Sequence, residues 1–282
     1  MRFPACLAAA AAALVLAGPA IAKPNRAPAL SAPARQALAP VLVDARRTQD
    51  RPRDVWRHPA ETLAFCRIEP GMTVVDYMPG GGWWTRILVP YLGENGRYIA
   101  LNPDVRAAPD ELKQYMGNIA VSFPPKVTEW TGASASRFGA YNSDGLPEAL
   151  SGTLDRVMVM RQIHNIQRFG MLYRELGTVR RLLKPGGLVC LEEHRAKPNA
   201  TASYTDGSEG YMREKDVIGL VEAHGFELVG KSEVNANPKD SADHPAGVWV
   251  LPPTLREGEK DRARYTAIGE SDRMTLLFRK RP

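Results

Sequence analysis

Val74-Val75-Asp76-Tyr77-Met78-Pro79-Gly80-Gly81-Gly82 is the stretch that decides the fold. Pro70-Gly71 ends whatever precedes it, and residues 72–77 then read as a short apolar strand. Three glycines follow, and residues 83–92 read as a helix. A strand that runs through glycines into a helix lets the backbone approach a ligand closely. The helix amides and the positive end of the helix dipole then face that ligand. A glycine-rich turn alone is a weak signal, and its place between strand and helix raises its value.

Working outward, the same alternation repeats. Residues 97–101 read as a second strand and 104–117 as a helix. Residues 126–130 are expected to form a third strand, and 131–147, rich in Gly, Ser and Ala, a loop. Residues 154–160 are strongly apolar and read as a fourth strand, followed by a helix over 169–183. Residues 188–192, 226–231 and 273–278 complete the strands, with a helix over 213–224. Upstream, residues 42–65 predict two helical stretches, broken near Arg51-Pro52 and His58-Pro59. Strands separated by helices imply right-handed crossovers and a mostly parallel sheet. Ligands of such sheets bind at the carboxyl ends of the strands, near the point where strand order reverses.

The first 22 residues stand apart. A positive start, an apolar run over 7–17 and Ala20-Ile21-Ala22 have the grammar of a secretory signal. The run is too short to span a bilayer. Residues 23–40, rich in Ala and Pro, are expected to be a flexible leader, and 41–282 one domain. The expected localisation is periplasmic or secreted, with no membrane-spanning segment after cleavage. The chain carries 37 basic and 31 acidic residues, a net charge of +6. Loss of Arg2 with the signal leaves 36 against 31, or +5, without clustering, so a nucleic-acid partner is not expected. Cys66 and Cys190 remain after cleavage. They are expected as buried free thiols, although an exported protein could pair them and spacing does not decide.

Further segments fall into a recognisable order. Leu154-Asp155-Arg156-Val157-Met158-Val159-Met160 is followed by His164-Asn165, and Leu182-Leu183-Lys184-Pro185-Gly186-Gly187-Leu188-Val189 enters the fifth strand. With the glycine-rich loop, these stretches resemble class I S-adenosylmethionine-dependent methyltransferases. More narrowly, the chain is similar to exported bacterial proteins described as predicted methyltransferases. The segments that carry this are Arg53-Asp54, Arg57-His58-Pro59, Asn235-Ala236-Asn237-Pro238, 248–253 and 269–272. The resemblance spans about residues 40–280. It implies a Rossmann-like α/β fold: a mostly parallel seven-stranded sheet with an antiparallel edge strand, preceded by N-terminal helices. It implies S-adenosylmethionine as cofactor, held by Asp76, Met78, Gly80, Gly82, Asn102 and Asp104. Two positions depart from the family pattern. Met78 stands where a glycine is usual, and Asn102 where an acid normally holds the ribose hydroxyls.

His164, Glu193 and His194 are the candidate catalytic residues. Each falls at the carboxyl end of a strand, and histidine titrates near neutral pH. Paired acids beside a histidine could also bind metal, but no second His-rich element shows ligand spacing, so no metal is expected. Trp83 or Trp84 could flank a ligand, and core packing suits at least one of them. Asp155, at the start of its strand, falls far from the cleft. Polar loops carrying Tyr204, Asp206 and Tyr211, and Asn237, Asp240, Asp243 and His244, are candidate substrate contacts. No G-x-S-x-G elbow is present, which disfavours a serine hydrolase. Methyl transfer to a small molecule is the expected activity. The alternative is an exported noncatalytic or repurposed ligand-binding protein, because the cofactor is made in the cytoplasm. A third reading keeps the fold for non-methyl chemistry at Glu193 and His194. The oligomeric state is not legible.

Overall fold

The computed structural model describes residues 29–106 and 108–282. The expected signal segment, 1–22, lies outside the described residues, as do 23–28 of the expected leader. The rest of that leader is not irregular. Helix α1 spans Ala32–Val43, and the Ser31 hydroxyl caps it by accepting from the Ala34 amide. Ala34, Leu38 and Val41 are buried, so an Ala-rich composition that suggests a linker instead supplies a helix face. Short helices α2 (Asp54–Arg57) and α3 (Pro59–Phe65) follow, with Pro59 at the start of α3, where its missing N–H costs nothing.

Seven strands then form one sheet: β1 Thr73–Tyr77, β2 Arg97–Asn102, β3 Phe138–Asn142, β4 Leu154–Met160, β5 Leu183–His194, β6 Phe226–Ser232 and β7 Arg273–Lys280. Their order is β3-β2-β1-β4-β5-β7-β6. Strands β3, β2, β1, β4 and β5 pair in parallel, and β7 runs antiparallel to both β5 and β6. The antiparallel strand therefore sits one place in from the edge, and β6 is the edge strand. Strand order reverses between β1 and β4, which puts the expected ligand crevice above their carboxyl ends. Both faces are covered. Helices α4 (Thr85–Leu92) and α6 (Ile119–Thr131) contribute to one buried apolar cluster, and α8 (Leu172–Leu182) and α9 (Glu214–Ala223) to a second. Helices α5 (Asp110–Met116), α7 (Ile163–Arg168) and α10 (Arg262–Ile268) complete the chain. Among the described residues, no helix is long and apolar enough to cross a membrane.

Two further expectations fail. Residues 126–130 belong to helix α6, and the third strand is β3, inside the stretch expected as a loop. Helix α6 carries Pro124 and Pro125 in its interior, residues that ordinarily end a helix, and this hid it. Cys66 and Cys190 are not free thiols. They form a disulfide, with Cα atoms 5.2 Å apart and 124 positions apart in sequence. It ties the end of α3 to the middle of β5.

Candidate functional site

The glycine-rich loop leaves β1 with Met78 at φ +53°, the left-handed region that favours glycine. A side chain there costs on the order of 1 kcal/mol. The amide of Met78 donates to the Leu101 carbonyl at 2.7 Å, which continues the β1–β2 ladder and holds the turn. Gly80 also lies at positive φ, +54°, and nothing stands within 4 Å of where a Cβ would be. It faces open space. Gly82 differs. A Cβ there would fall 2.2 Å from the Trp130 ring, so this glycine exists to let α6 pack on the loop. Trp130 also receives the Arg86 guanidinium, 4.8 Å from its ring centre.

Two cavities flank this loop. The larger, about 430 Å³, includes Met78, Pro79, Gly80, Asn102, Met116 and Phe123 in its wall. It opens on its other side to Gln162, Asn165, Arg168, Phe169 and Trp249. The smaller, about 180 Å³, shares Met78, Pro79, Gly80 and Gln162 and adds Asp76, Arg57, Arg161 and Trp84. Both lie at the reversal between β1 and β4. Of the six residues expected to hold a cofactor, Met78 and Gly80 line both cavities, Asn102 the larger and Asp76 the smaller. Gly82 and Asp104 line neither. Asp104 is turned to Arg106 and Arg174, with ion pairs at 2.8 and 2.5 Å. Hydrogen bonds from Arg106 hold its carboxyl well below the usual range.

Asp76 is 2 % exposed, and its carboxylate accepts one hydrogen bond, from the Tyr98 hydroxyl at 3.0 Å. Burial raises its pKa to about 7, against the opposing pull of Tyr98 and Arg161. Nearby, Arg57 is 4 % exposed and pairs with Glu270 at 3.1 Å. The Trp84 indole N–H is buried and has no partner among the described residues. The smaller cavity thus offers a carboxyl poised near neutrality, guanidinium groups and a free N–H donor.

The three expected catalytic residues come together, but they line neither cavity. His164 Nδ1 lies 2.8 Å from Glu193 Oε1. Glu193 also accepts from the backbone amides of His164 and His194, at 3.0 and 2.9 Å. The carboxylate is fully buried and has three donors. An ionised Glu193 requires the hydrogen on His164 Nδ1, which leaves Nε2 as the basic nitrogen. His194 Nδ1 meets the Ser271 hydroxyl at 2.5 Å. Burial, then the charges of His164, Arg161, Arg273 and Arg57, push the His194 pKa well down, so it is neutral. Ligand atoms of His164, Glu193 and His194 lie within 4.8 Å of one another. The Glu193 oxygens already serve backbone amides, which suits a positioning group better than a metal ligand. The pair holds the start of α7, whose Gln162 and Asn165 face the larger cavity, and the His164 ring stands 6.2 Å from Trp249.

The other polar candidates divide. Asp240 accepts from Tyr211, His244, Ala242 and Asp272, a closed buried network. Asp155 accepts from the Thr73 amide and Lys184, at the end of the sheet away from the cleft. Sequence reasoning did not single out Arg161 and Gln162, although the strand-end rule that selected His164 points to them too.

No family model matches the chain, and no curated protein matches it. Solved structures do. A SAM-dependent methyltransferase from Aquifex aeolicus superposes with a TM-score of 0.50 at 16% identity, over 81% of this chain and 92% of that one. A methyltransferase from Galdieria sulphuraria, provisionally named for sarcosine and dimethylglycine, superposes with a TM-score of 0.50 at 15% identity, over 86% of this chain and 91% of that one. The fold is the Rossmann-like fold of class I methyltransferases.

Proposed function

We propose that the protein binds S-adenosylmethionine and transfers its methyl group to a small molecule. One observation carries this reading. The loop at Met78–Gly80 is open, with a cavity on each side of it at the reversal point of the sheet. The adenosine then occupies the larger cavity, where Met116 and Phe123 supply apolar faces and Asn102 a polar edge. Asn102 Nδ2 already donates to the Met116 carbonyl at 3.0 Å, so its oxygen is the group left to accept from a ribose hydroxyl. The amino-acid tail occupies the smaller cavity, its carboxylate toward Trp84 Nε1 and Arg57, its ammonium toward Asp76.

When bound, the cofactor supplies a methyl group open to in-line displacement. The protein's share is position and orientation. Gly80 admits the ligand beside the backbone. Asp76, which titrates near pH 7 in the empty site, ionises fully against an ammonium. His164 and Glu193 fix the start of α7, which carries Gln162 and Asn165, the side from which an acceptor approaches. We further propose that residues 1–22 direct export. The Cys66–Cys190 bond supports this, since such bonds persist in oxidising compartments.

Calorimetric titration of the purified protein with S-adenosylmethionine and S-adenosylhomocysteine tests the reading. Micromolar binding of both, abolished in Gly80→Leu, is the expected result. Absence of binding would leave the repurposed ligand-binding protein as the better account.

A further inference from the structure

The acceptor side of the larger cavity carries an unbalanced charge. Its described lining includes the cations Lys126 and Arg168 and no carboxylate. Arg168 leaves the end of α7 and lies over two rings, 4.5 Å from the centre of Phe169 and 5.5 Å from that of Trp249. Arg256 approaches the same indole at 4.4 Å, and its amide donates to the Trp249 carbonyl at 2.9 Å. Two guanidinium groups therefore share one aromatic ring, with no acid between them among the described residues. Burial and the Arg256 charge both push the Arg168 pKa down, and no carboxylate opposes them. Elsewhere the molecule treats arginine differently. Arg195 meets Glu214, Glu233 and Asp272, and both Arg53 and Arg57 meet Glu270. Arg168 lines the cavity and Arg256 adds its charge across the shared indole, and like charges gathered without a counter-ion attract an anion.

We propose that this mouth recognises a small aromatic carboxylate, held by Arg168 with Arg256 adding charge beside it, and lying against the Trp249 and Phe169 rings where they line the cavity. The planar guanidinium fork matches a carboxylate in two-point contact, and it makes stronger hydrogen bonds to an ion than to a neutral group. The Trp249 and Phe169 rings offer apolar faces to a flat body. Gln162 and Asn165, on the wall toward Gly80, are placed to meet a polar substituent at its other end. The ligand's role as methyl acceptor rests on the function proposed above; its binding does not.

The test is titration of the full chain with 4-hydroxybenzoate and with 4-hydroxybenzamide, its uncharged counterpart. The acid is expected to bind about tenfold more tightly than the amide, as a charge-assisted contact requires. Arg168→Gln combined with Arg256→Gln should erase that preference and leave amide affinity within about threefold. Both side chains are at the surface, so the double variant should keep the wild-type melting temperature. Equal affinities, no heat from either compound, or an acid preference that survives the double substitution would overturn the proposal. S-adenosylhomocysteine in the same cell separates the two ideas. If it binds and the acid preference is absent, only this inference falls. If the acid preference is present and S-adenosylhomocysteine does not bind, the methyl-transfer reading falls and the carboxylate site stands.

Discussion

Asp76 and Glu192 are both buried carboxylates at the carboxyl ends of strands of one sheet, separated only by β4. Their surroundings are opposite. Glu192 accepts from Arg161 at 2.7 Å and from Asn235 at 2.9 Å, and Arg273 lies 3.4 Å away. Burial alone would raise its pKa, and the charges of Arg273, Arg161 and Arg57 more than offset that and hold it low. Asp76 has a single hydrogen bond and a pKa near 7. The first carboxylate is saturated by the protein, and the second is left wanting a partner beside a cavity. A saturated cluster fixes geometry, and an unsatisfied group next to open space is where a ligand gains most.

Removing Glu192 should give the largest loss of stability. Glu192→Ala leaves the half-buried Arg161 without its acid and the buried Arg273 with Glu270 alone, at a cost of about 4 kcal/mol. Urea unfolding of the variant measures it, and a loss below about 1 kcal/mol would show that the cluster is not what holds this end of the sheet. The disulfide comes next, since Cys190 lies two residues before Glu192 and braces the same region. Replacing Cys66 and Cys190 together by Ala should cost about 3 kcal/mol, and the midpoint of denaturation should become insensitive to reductant.

Asp76 should give a change of the opposite sign. Its carboxyl titrates near 3.8 when unfolded and about 7 when folded. Below pH 3.8 both states are protonated and the group costs nothing. As pH rises from 3.8 to 7 the unfolded state loses its proton first, so folding stability falls across that window and the full cost is present above it. Asp76→Asn should therefore match wild type near pH 4 and exceed it by about 4 kcal/mol at pH 8. Paired melts at the two pH values read this, and a variant less stable at pH 8 would reverse the contrast with Glu192. The same variant should lose affinity for S-adenosylhomocysteine.

Much of the sheet was legible because its signal is local. Val74–Tyr77, the glycines and the Lys184-Pro185-Gly186-Gly187 turn each announce an element through backbone chemistry. Strand β3 was not legible. Phe138-Gly139-Ala140-Tyr141-Asn142 lacks a branched apolar run and is held by pairing to β2. The disulfide depends on a tertiary approach across 124 positions, which no spacing encodes. The candidate site was legible in its backbone half. Met78 and Gly80, read from the loop, line both cavities, and Gly82 lines neither because Trp130, 48 positions away in sequence, packs on it. Arg53, Arg57, Asn235 and Glu270 fell within the segments that suggested the narrower resemblance. The structure joins them around Glu192 and Arg273, so those segments are one network rather than four sites.

A crystal structure of the protein grown with S-adenosylhomocysteine probes the unsatisfied carboxylate most directly. The account predicts adenosine density beside Asn102 and Met116, with the amino-acid tail between Asp76 and Trp84 Nε1. Density lodged elsewhere, or both cavities filled only by water at saturating ligand, would contradict it.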